Sequence, residues 1–377
     1  MSKRRDKRAP MKLPLLILLD VVMIGAALVV FALFHHVIPR RQASLGITSL
    51  RPGAIYAAQE TQAPVEAGDE SAAQPQSEAL TGAEQTEDAL ALWENNAVSA
   101  APELTATPVT VATPEPTAEP VGYFGTKFKD MFSESGGARN DNNYQSVNTN
   151  ITIHRNKVGK SYVCMADIYV RDISNLITVF AEDTYGHGIS EWPPMMARRK
   201  NGLVTLSGDY YGAHSDGIVI RNGTVYRSTN SSGADVCVLY WDGVMETFSP
   251  REFDLQAALD RGVYQAWCFG PELLDAEGHA MTKFNSGLTN ANPRAAIGYF
   301  EPGHYCFVMV EGRNKYSAGM TLKELSATME AMGCKAAYTL DGGATAVLLA
   351  GKEYVNELSD LTRPSSDVIM IVDNPEQ

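Results

Sequence analysis

The stretch "MTLKELSATMEAMGCKAAYTLDGGATAVL", residues 320–348, combines a helix signal, a strand signal and a glycine turn. Thr321 and Glu324 have the spacing of a capping box, and apolar residues then recur at helical intervals up to Gly333. The run "KAAYTL" has the composition of a buried strand and ends at Asp341, before two glycines. The segment therefore predicts a helix packed on a sheet, with a carboxylate at the end of one strand.

The surrounding region, residues 122–377, reads mostly as strands. Short apolar and aromatic runs bounded by glycine, asparagine or aspartate recur through it, and the Asn222-Gly223 pair predicts a tight hairpin. Two further helices are expected, in "SEWPPMMARRKN" with Ser190 as N-cap and in "SPREFDLQAALDRG" with Gly262 as the stop. The order "HYCFVMV", helix, "KAAYTL" suggests a parallel crossover. The predicted fold class is α+β, a large mixed β-sheet with few packed helices.

The N-terminal segment, residues 1–41, predicts a membrane anchor. A basic cluster precedes the apolar run 13–38, whose one charge is Asp20. The run exceeds the roughly 20 residues needed to cross a bilayer, and the basic cluster predicts a cytoplasmic N-terminus. A cleaved signal peptide is the alternative, but its apolar region is normally only about 7–15 residues long and is followed by an A-x-A-like cleavage site, and the sequence shows no good site of this kind. We therefore expect a single-pass protein of the cell membrane with its head outside the cytoplasm.

The segment 42–121 predicts a disordered stalk between this anchor and the head. Alanine, glutamate, threonine and proline dominate it, and aromatic residues are scarce. Such a composition buries too little apolar surface to offset the entropy of ordering. Its acids supply much of the net charge of −13, which argues against a nucleic-acid partner. Residues 122–377 are long enough to build a substantial core.

The five cysteines all lie in the head, in or beside apolar runs, and none forms a C-x-x-C pair. An odd number in an exported domain means that at least one is free or pairs between chains. The sequence favours buried thiols that pack as small apolar side chains over a catalytic or zinc-binding role.

Several turns combine an acid or an arginine with glycine at the end of a strand. Such turns fix a carboxylate and let a ligand approach the backbone, and arginine suits a bidentate anion such as phosphate. Acids at strand ends suit acid/base chemistry or a metal such as Ca²⁺, although no motif requires one. The candidates are Asp209 and Tyr210 in "LSGDYYG", Arg294 in "NPRAAIGY", Glu311 and Arg313 in "MVEGRN", Asp341, Gly342 and Gly343 in "LDGG", and Arg363 in "LTRPSSDV".

The order of these motifs resembles the phosphodiester glycosidase family, whose bacterial members are often called exopolysaccharide biosynthesis proteins. The chain reads "SGDYYG", "RNGTV", "RAAIGY", "VEGRNKYSAGMTLKELSATMEAMGCKAAYTLDGGATAVL" and "RPSSDVIMIV" in that order, over roughly residues 145–373. It departs from the family pattern at Ser207, where asparagine is usual, at Glu311, where aspartate is common, and at Ala344 and Thr345, which replace glycine and serine.

The resemblance implies hydrolysis of a sugar-1-phosphodiester on an envelope or extracellular glycan, such as an N-acetylglucosamine-1-phosphate group. Asp341 or Asp209 would act as base or nucleophile, with Glu311 and His214 as further catalytic candidates. Arg294, Arg313, Arg363, Tyr210, Thr345 and the Gly342–Gly343 amides would bind the substrate and its phosphate. We expect Asp209, Arg294, Glu311, Arg313, Asp341 and Arg363 to line one cleft.

Two other functions stay open at this point. The departures at Ser207 and Ala344 suggest a non-catalytic glycan-binding or polysaccharide-assembly module of the same fold. An amidase or peptidase with Ser207 or Thr345 as nucleophile is the weaker alternative, because no G-x-S-x-G elbow accompanies either residue.

Overall fold

The computed structural model describes residues 13–32, 40–52, 119–140, 142–358 and 362–375. The chain divides into two compact units, residues 1–55 with 120–377, and residues 56–119. All of the second unit except Glu119 lies outside the described residues. The predicted stalk therefore stays a prediction for residues 53–118.

Four α-helices occur in the part of the chain that the structure describes. They are α1 (Leu13–Ala32), α2 (Pro193–Arg199), α3 (Leu255–Arg261) and α4 (Leu322–Ala331). The predicted capping box of α4 is confirmed, because the Thr321 hydroxyl accepts from the Glu324 N–H at 3.2 Å and the Glu324 carboxylate accepts from the Thr321 N–H at 2.8 Å. The predicted N-cap Ser190 is wrong: α2 begins at Pro193 after Trp192, because a proline in the first turn has no N–H for a cap to satisfy.

The N-terminal helix α1 covers part of the apolar run that predicted a membrane anchor. Among the residues described here, no helix combines the length and the apolarity that crossing a membrane would require. The structure therefore does not support the predicted transmembrane helix.

The strands form four sheets within the described ranges. The seven-stranded sheet contains, in spatial order, β17 (Ala336–Leu340), β15 (Arg294–Glu301), β16 (His304–Val310), β6 (Ser161–Val170), β5 (Thr149–Val158), β4 (Asn143–Gln145) and β3 (Ala138–Arg139). The six-stranded sheet contains β13 (Met245–Phe248), β12 (Val236–Tyr240), β14 (Val263–Trp267), β10 (Val219–Arg221), β11 (Thr224–Arg227) and β2 (Ile47–Thr48). The five-stranded sheet contains β19 (Glu353–Tyr354), β18 (Leu348–Ala350), β9 (Val204–Ser207), β20 (Asp367–Ile371) and β7 (Leu176–Phe180). The fourth sheet pairs β1 (Arg40–Arg41) with β8 (Gly186–His187).

The prediction of one large mixed sheet with a parallel crossover is wrong. Every strand pair recorded for the described residues is antiparallel. Strands β16 and β17 do run in the same direction with α4 between them in sequence. However, β15 lies between them in the sheet and is antiparallel to both. The composition of the two runs could not show that an earlier strand separates them.

Helix α4 packs its apolar face on this sheet, as its spacing predicted. Leu322, Leu325 and Met329 are fully buried, in one cluster with Val308 of β16 and Ala296 of β15. Burial of each of the three helix side chains contributes roughly 1.5–3 kcal/mol. The helix is therefore held by its contact with the strands rather than by its own propensity.

The predicted hairpin at Asn222-Gly223 is confirmed. Both residues have positive φ, 51° and 80°, and they join the antiparallel strands β10 and β11. The Asn222 side chain also exchanges hydrogen bonds with the backbone of Thr178 at 2.9 and 3.1 Å. The hairpin therefore connects the six-stranded sheet to the five-stranded one.

Residues 40–52 correct the predicted boundary of the stalk. Strand β2 pairs with β11 at the edge of the six-stranded sheet, and the Ser49 carbonyl accepts from the Trp241 indole at 3.1 Å. Arg51 pairs with Asp172 at 2.8 Å. The prediction of disorder is wrong for residues 42–52, because this short segment lies at a sheet edge and forms hydrogen bonds with the backbone groups exposed there.

Candidate active site

Three strand ends meet at one edge of the seven-stranded sheet. Arg294, the first residue of β15, pairs with Val310, the last residue of β16, and Ala295 pairs with Leu340, the last residue of β17. Because β15 is antiparallel to both neighbours, its beginning lies beside their ends. This topology brings Arg294, the loop after β16 and Asp341 to the same place.

A cavity of about 320 Å³ lies at this edge. Its lining includes six of the residues that the sequence singled out. These are Arg294, Arg313, Asp341, Gly342, Gly343 and Arg363. The volume is at the low end of the range typical for small-molecule sites, about 300–1,000 Å³.

Asp341 supplies the carboxylate of the cavity, and it is the one acid in the lining among the described residues. Its side chain is 7% exposed and pairs with the Arg363 guanidinium, Nη2 to Oδ2, at 3.2 Å. Burial raises the pKa of Asp341 to about 6, with a further rise from nearby Asp209, against the lowering effects of the Thr345 hydroxyl and Arg363. This carboxyl group therefore changes its protonation state close to neutral pH.

Arg294 is a buried cation in the lining of the same cavity. Its guanidinium donates to the carbonyls of Leu288, Asn290 and Met320 at 2.7, 2.5 and 3.1 Å. No acid pairs with it among the described residues. Burial, together with the neighbouring charge of Arg313, lowers the pKa of Arg294 to about 10. The positive charge is thus poorly compensated by the protein itself, which suits an anionic ligand.

Two further arginines come from loops. Arg313 is exposed, has φ 59° and donates to the Asn292 side chain at 2.6 Å. The Arg363 guanidinium stacks over the Tyr210 ring at 4.0 Å while it pairs with Asp341. Tyr210 therefore orients an arginine of the cavity by a cation–π contact and is absent from the cavity lining itself.

The glycine turn after Asp341 is shaped by its contacts with the start of β15. A Cβ on Gly342 would lie 2.6 Å from the Pro293 carbonyl oxygen, and Gly343 has φ 62°. Ala344 avoids positive φ, so the departure from glycine at this position is tolerated. The Gly343 N–H donates to the Pro293 carbonyl at 2.9 Å, so the prediction that this amide binds phosphate is wrong.

Asp209 lies behind the cavity rather than in it. Its carboxylate pairs with Arg221 at 2.8 Å and accepts from the backbone N–H groups of Tyr211 and Cys268 at 3.1 and 3.0 Å. Arg221 also pairs with Asp367 at 2.9 Å. All three side chains are at most 2% exposed, so the predicted catalytic role of Asp209 has no access to a substrate.

Glu311 is also separate from the cavity, so the prediction of a common cleft is wrong for it. Its fully buried carboxylate accepts two hydrogen bonds from Arg155 of β5, at 2.7 and 3.0 Å, and one from the Glu357 N–H at 3.1 Å. It follows β16 just as Asp341 follows β17. The Glu311 side chain is held on the side of β5 because the Arg155 guanidinium there donates hydrogen bonds to its carboxylate.

The remaining candidates lie around the cavity. His214 is exposed, with its ring 5.9 Å from that of Tyr210, and it is absent from the lining. Thr345 is fully buried under Asp341, which excludes the direct substrate contact predicted for it. The fully buried Ser207 donates to the Thr345 carbonyl at 2.7 Å and accepts from the Val347 N–H at 2.9 Å, so its hydroxyl braces the turn and gives no support to the nucleophilic alternative.

The described residues contain no evident metal-binding site. No group of three or more histidine, cysteine, aspartate or glutamate side chains is arranged there to hold an ion. The suggestion of Ca²⁺ therefore gains no support from side-chain geometry.

Sequence reasoning missed two parts of this region. The buried pair partners Arg221 and Asp367 lie in "VIRNG" and "SSDVIMIV", where each had the appearance of an ordinary strand residue. Part of the cavity wall also comes from segments without a motif, namely Phe269, Gly270, Pro271, Ser286 and Leu288. The one available signal was that Arg221 directly follows the apolar run "IVI" at the end of a strand, because a charge that is buried there needs a partner.

Comparison with known proteins agrees with the motif order. Residues 200–372 match the model of a protein family described as phosphodiester glycosidase. A curated relative, the SPbeta prophage-derived uncharacterized protein YomE of Bacillus subtilis (strain 168), is 27% identical over 172 residues. That match covers 44% of this chain and 27% of the relative, so the chain spans about a quarter of the relative's length.

Solved structures with some likeness include the zebrafish N-acetylglucosamine-1-phosphodiester alpha-N-acetylglucosaminidase catalytic domain auto-inhibited by its pro-peptide. The match has 19% identity and a TM-score of 0.47, over 60% of this chain and 83% of that one. A hypothetical protein from Synechocystis matches with 11% identity and a TM-score of 0.46, over 61% and 63% of the two chains. The predicted resemblance to the phosphodiester glycosidases is confirmed by the family match, over residues 200–372.

Proposed function

We propose that the chain hydrolyses a sugar-1-phosphodiester, releasing the sugar from a phosphate group on a glycan. The proposal combines the family match over residues 200–372 with the chemistry of the cavity at the edge of the seven-stranded sheet.

The observation that carries the proposal is Arg294. A guanidinium that is buried without an acidic partner in the described structure pays a desolvation cost that a bound anion relieves. Arg313 and Arg363 line the same cavity, so three cations surround a space suited to a phosphodiester. The phosphate of the substrate would lie among them.

Asp341 is the group placed to act on the sugar. With Asp209 and Glu311 bound elsewhere, it is the acid that lines the cavity among the described residues. In its ionised form it would act as general base or nucleophile, and its charge would stabilise an oxocarbenium-like transition state.

A single carboxylate suffices chemically because of the leaving group. Ordinary glycosidases use a second carboxylic acid to protonate the departing oxygen. A phosphate monoester is already a good leaving group, and the arginines stabilise the negative charge that it gains as the bond breaks. The single acid in the cavity lining is thus consistent with a phosphate leaving group.

The test is release of free sugar by the purified full chain. UDP-N-acetylglucosamine and a panel of sugar-1-phosphodiesters serve as substrates, with and without calcium. We expect turnover by the wild type and a loss of at least 100-fold in Asp341→Asn, the scale seen when a positioned acid–base group is removed. Arg294→Gln should raise the KM and weaken protection of the protein by inorganic phosphate in thermal melts.

Asp167→Asn is the matched control. Asp167 lies in β6 of the same sheet, is 28% exposed in its side chain and pairs with His304 at 2.7 Å, outside the cavity. It should keep wild-type turnover. Equal turnover by folded Asp341→Asn would contradict the proposed role of this carboxylate, and turnover of none of the panel would count against the reaction class.

The pH profile provides a second readout. Because Asp341 acts in its ionised form and its pKa lies at about 6, kcat/KM should rise as the pH increases through about 6. Measurement between pH 4.5 and 8 tests this. A profile that falls through pH 6 would mean that the protonated carboxyl is the active form.

If the protein binds the sugar-1-phosphodiesters of the panel but does not hydrolyse them, it is a non-catalytic glycan-binding module. The two departures that suggested it, Ser207 and Ala344, both fit the local structure of the turn. They therefore give it less support than the sequence alone suggested.

The location of the chain stays a prediction. We propose that it works outside the cytoplasm on an envelope glycan, on the evidence of the basic N-terminus followed by the apolar run 13–38. Protease digestion of intact cells, followed by detection of the head, would test this. Full protection of the head in intact cells, with digestion after lysis, would contradict it.

A further inference from the structure

Two cysteines approach each other in the core beneath helix α4. The Sγ atoms of Cys306, in β16, and Cys334, between α4 and β17, are 3.8 Å apart. Cys306 is fully buried and Cys334 is 4% exposed. The two residues are 28 positions apart in sequence, so their meeting is a product of the fold.

Gly298 provides the space in which the sulfurs meet. It lies in β15, directly opposite Cys306 of β16 on one side and Ala337 of β17 on the other. A Cβ on Gly298 would lie 2.6 Å from the Cys306 sulfur and 2.8 Å from the Cys334 sulfur. Any side chain at this position would therefore push into both sulfurs, and the glycine leaves them facing each other across the middle strand.

We propose that Cys306 and Cys334 form an intramolecular disulfide when the protein folds under oxidising conditions. A disulfide has an S–S length of about 2.05 Å, so the sulfurs must approach by less than 2 Å, which side-chain rotation can supply. The bond would fasten the segment after α4 to β16 across β15. The other three cysteines would remain thiols, which accounts for the odd number.

The reaction is thiol–disulfide exchange with an external disulfide, such as oxidised glutathione or the active-site disulfide of an oxidoreductase. The two protein thiols lose two protons and two electrons, and the external disulfide becomes two thiols. The hydrogen bond with Cys334 and the burial raise the pKa of Cys306 well above its ordinary value. Exchange therefore proceeds during folding, before the core closes, and the finished bond is shielded from reductants.

The cysteines lie far from the cavity. Cys306 is near the start of β16 and Cys334 precedes β17, whereas the residues of the cavity follow the ends of these strands. The five residues of β17 alone span about 16 Å at 3.3 Å per residue. Formation of the disulfide should thus change stability and leave turnover per folded molecule unchanged, which makes the inference independent of the proposed activity.

The experiment refolds the full chain from denaturant in a mixture of reduced and oxidised glutathione. Free thiols are then alkylated, the protein is digested without reductant, and the peptides are identified by mass spectrometry. We expect a linked peptide pair that contains Cys306 and Cys334, with Cys164, Cys237 and Cys268 alkylated. Addition of reductant during unfolding should lower the Tm of the oxidised protein by about 5–10 °C.

Cys306→Ala should abolish the linked pair and the effect of reductant on the Tm. Cys237→Ala is the matched control, since Cys237 is equally buried and no cysteine contact is recorded for it in the described structure; it should retain both. Alkylation of all five cysteines after refolding, or a link between another pair, would overturn the proposal. Should either variant fail to refold, peptide mapping of the wild type alone still decides the outcome.

Discussion

Asp341 and Glu311 show how little of a residue's role is visible in its neighbours along the chain. Each follows an apolar strand and precedes a glycine. Asp341 faces a cavity with three arginines, whereas Glu311 is neutralised by Arg155, 156 positions earlier in sequence. The sequence could show that both are acids at strand ends. It could not show which of them a distant guanidinium would already occupy.

The buried carboxyl of Asp341 should reduce the stability of the protein at neutral pH. Its pKa is about 6 in the folded chain and about 3.9 when unfolded, so the folded state binds more protons between these values. The free energy of unfolding should therefore fall as the pH rises from about 4 to about 6, by roughly 2–3 kcal/mol in total.

Asp341→Asn tests this prediction because asparagine stays neutral at every pH. In urea unfolding at pH 8 the variant should be more stable than the wild type by roughly 1–3 kcal/mol, and at pH 4 the difference should vanish. A variant that is less stable at pH 8 would mean that the pair with Arg363 outweighs the desolvation of the carboxylate.

At the scale of elements, three strands are joined by one buried cation. Arg221 ends β10, Asp367 begins β20 and Asp209 follows β9, so the ion pairs connect the six-stranded sheet to the five-stranded one. The Gly208 carbonyl, just before Asp209, accepts from the Asp341 N–H at 2.9 Å. The buried pairs therefore also position the turn that carries the cavity's carboxylate.

Arg221→Leu should destabilise the protein by about 3–5 kcal/mol, because it leaves two buried carboxylates without a cation. Burial and the charge of Asp209 already raise the pKa of Asp367, so the loss should shrink at acid pH, where this carboxyl is protonated. Urea unfolding at pH 5 and pH 8 measures both effects. Arg261→Leu is the control: its pair with Glu246 is more than a third exposed, and its loss should cost less than about 1 kcal/mol.

The helices and strands were largely predictable from the sequence, but the order in which the strands pair in the sheets was not. Local chemistry places the capping box at Thr321, the hairpin at Asn222-Gly223 and the end of α3 at Gly262, because each depends on atoms within a few positions. The insertion of β15 between β16 and β17 depends on long-range packing that no local pattern encodes. Four of the six residues expected in one cleft do line it. The two exceptions are acids that pair with an arginine elsewhere, Asp209 with the buried Arg221 and Glu311 with the exposed Arg155.

At the scale of the whole molecule, residues 40–52 belong to the same compact unit as the head. A chain that begins at residue 120 would lose the pairing of β2 with β11, the Ser49–Trp241 hydrogen bond and the Arg51–Asp172 pair. We expect such a chain to be less stable than the full one by about 2–4 kcal/mol, from several hydrogen bonds and one partly buried ion pair. Thermal and urea unfolding of the two chains measure the difference. Identical unfolding curves would show that the segment adds no stability.

The position of β2 at a sheet edge has a consequence for a nicked form of the protein. If a protease cut the chain between residues 53 and 118, covalent continuity would be lost while β2 remained hydrogen-bonded to β11. The two fragments should then elute together in size exclusion and separate only in denaturant. A synthetic peptide of residues 40–52 should likewise bind to a head that lacks this segment, as the two fragments of a split protein bind to each other.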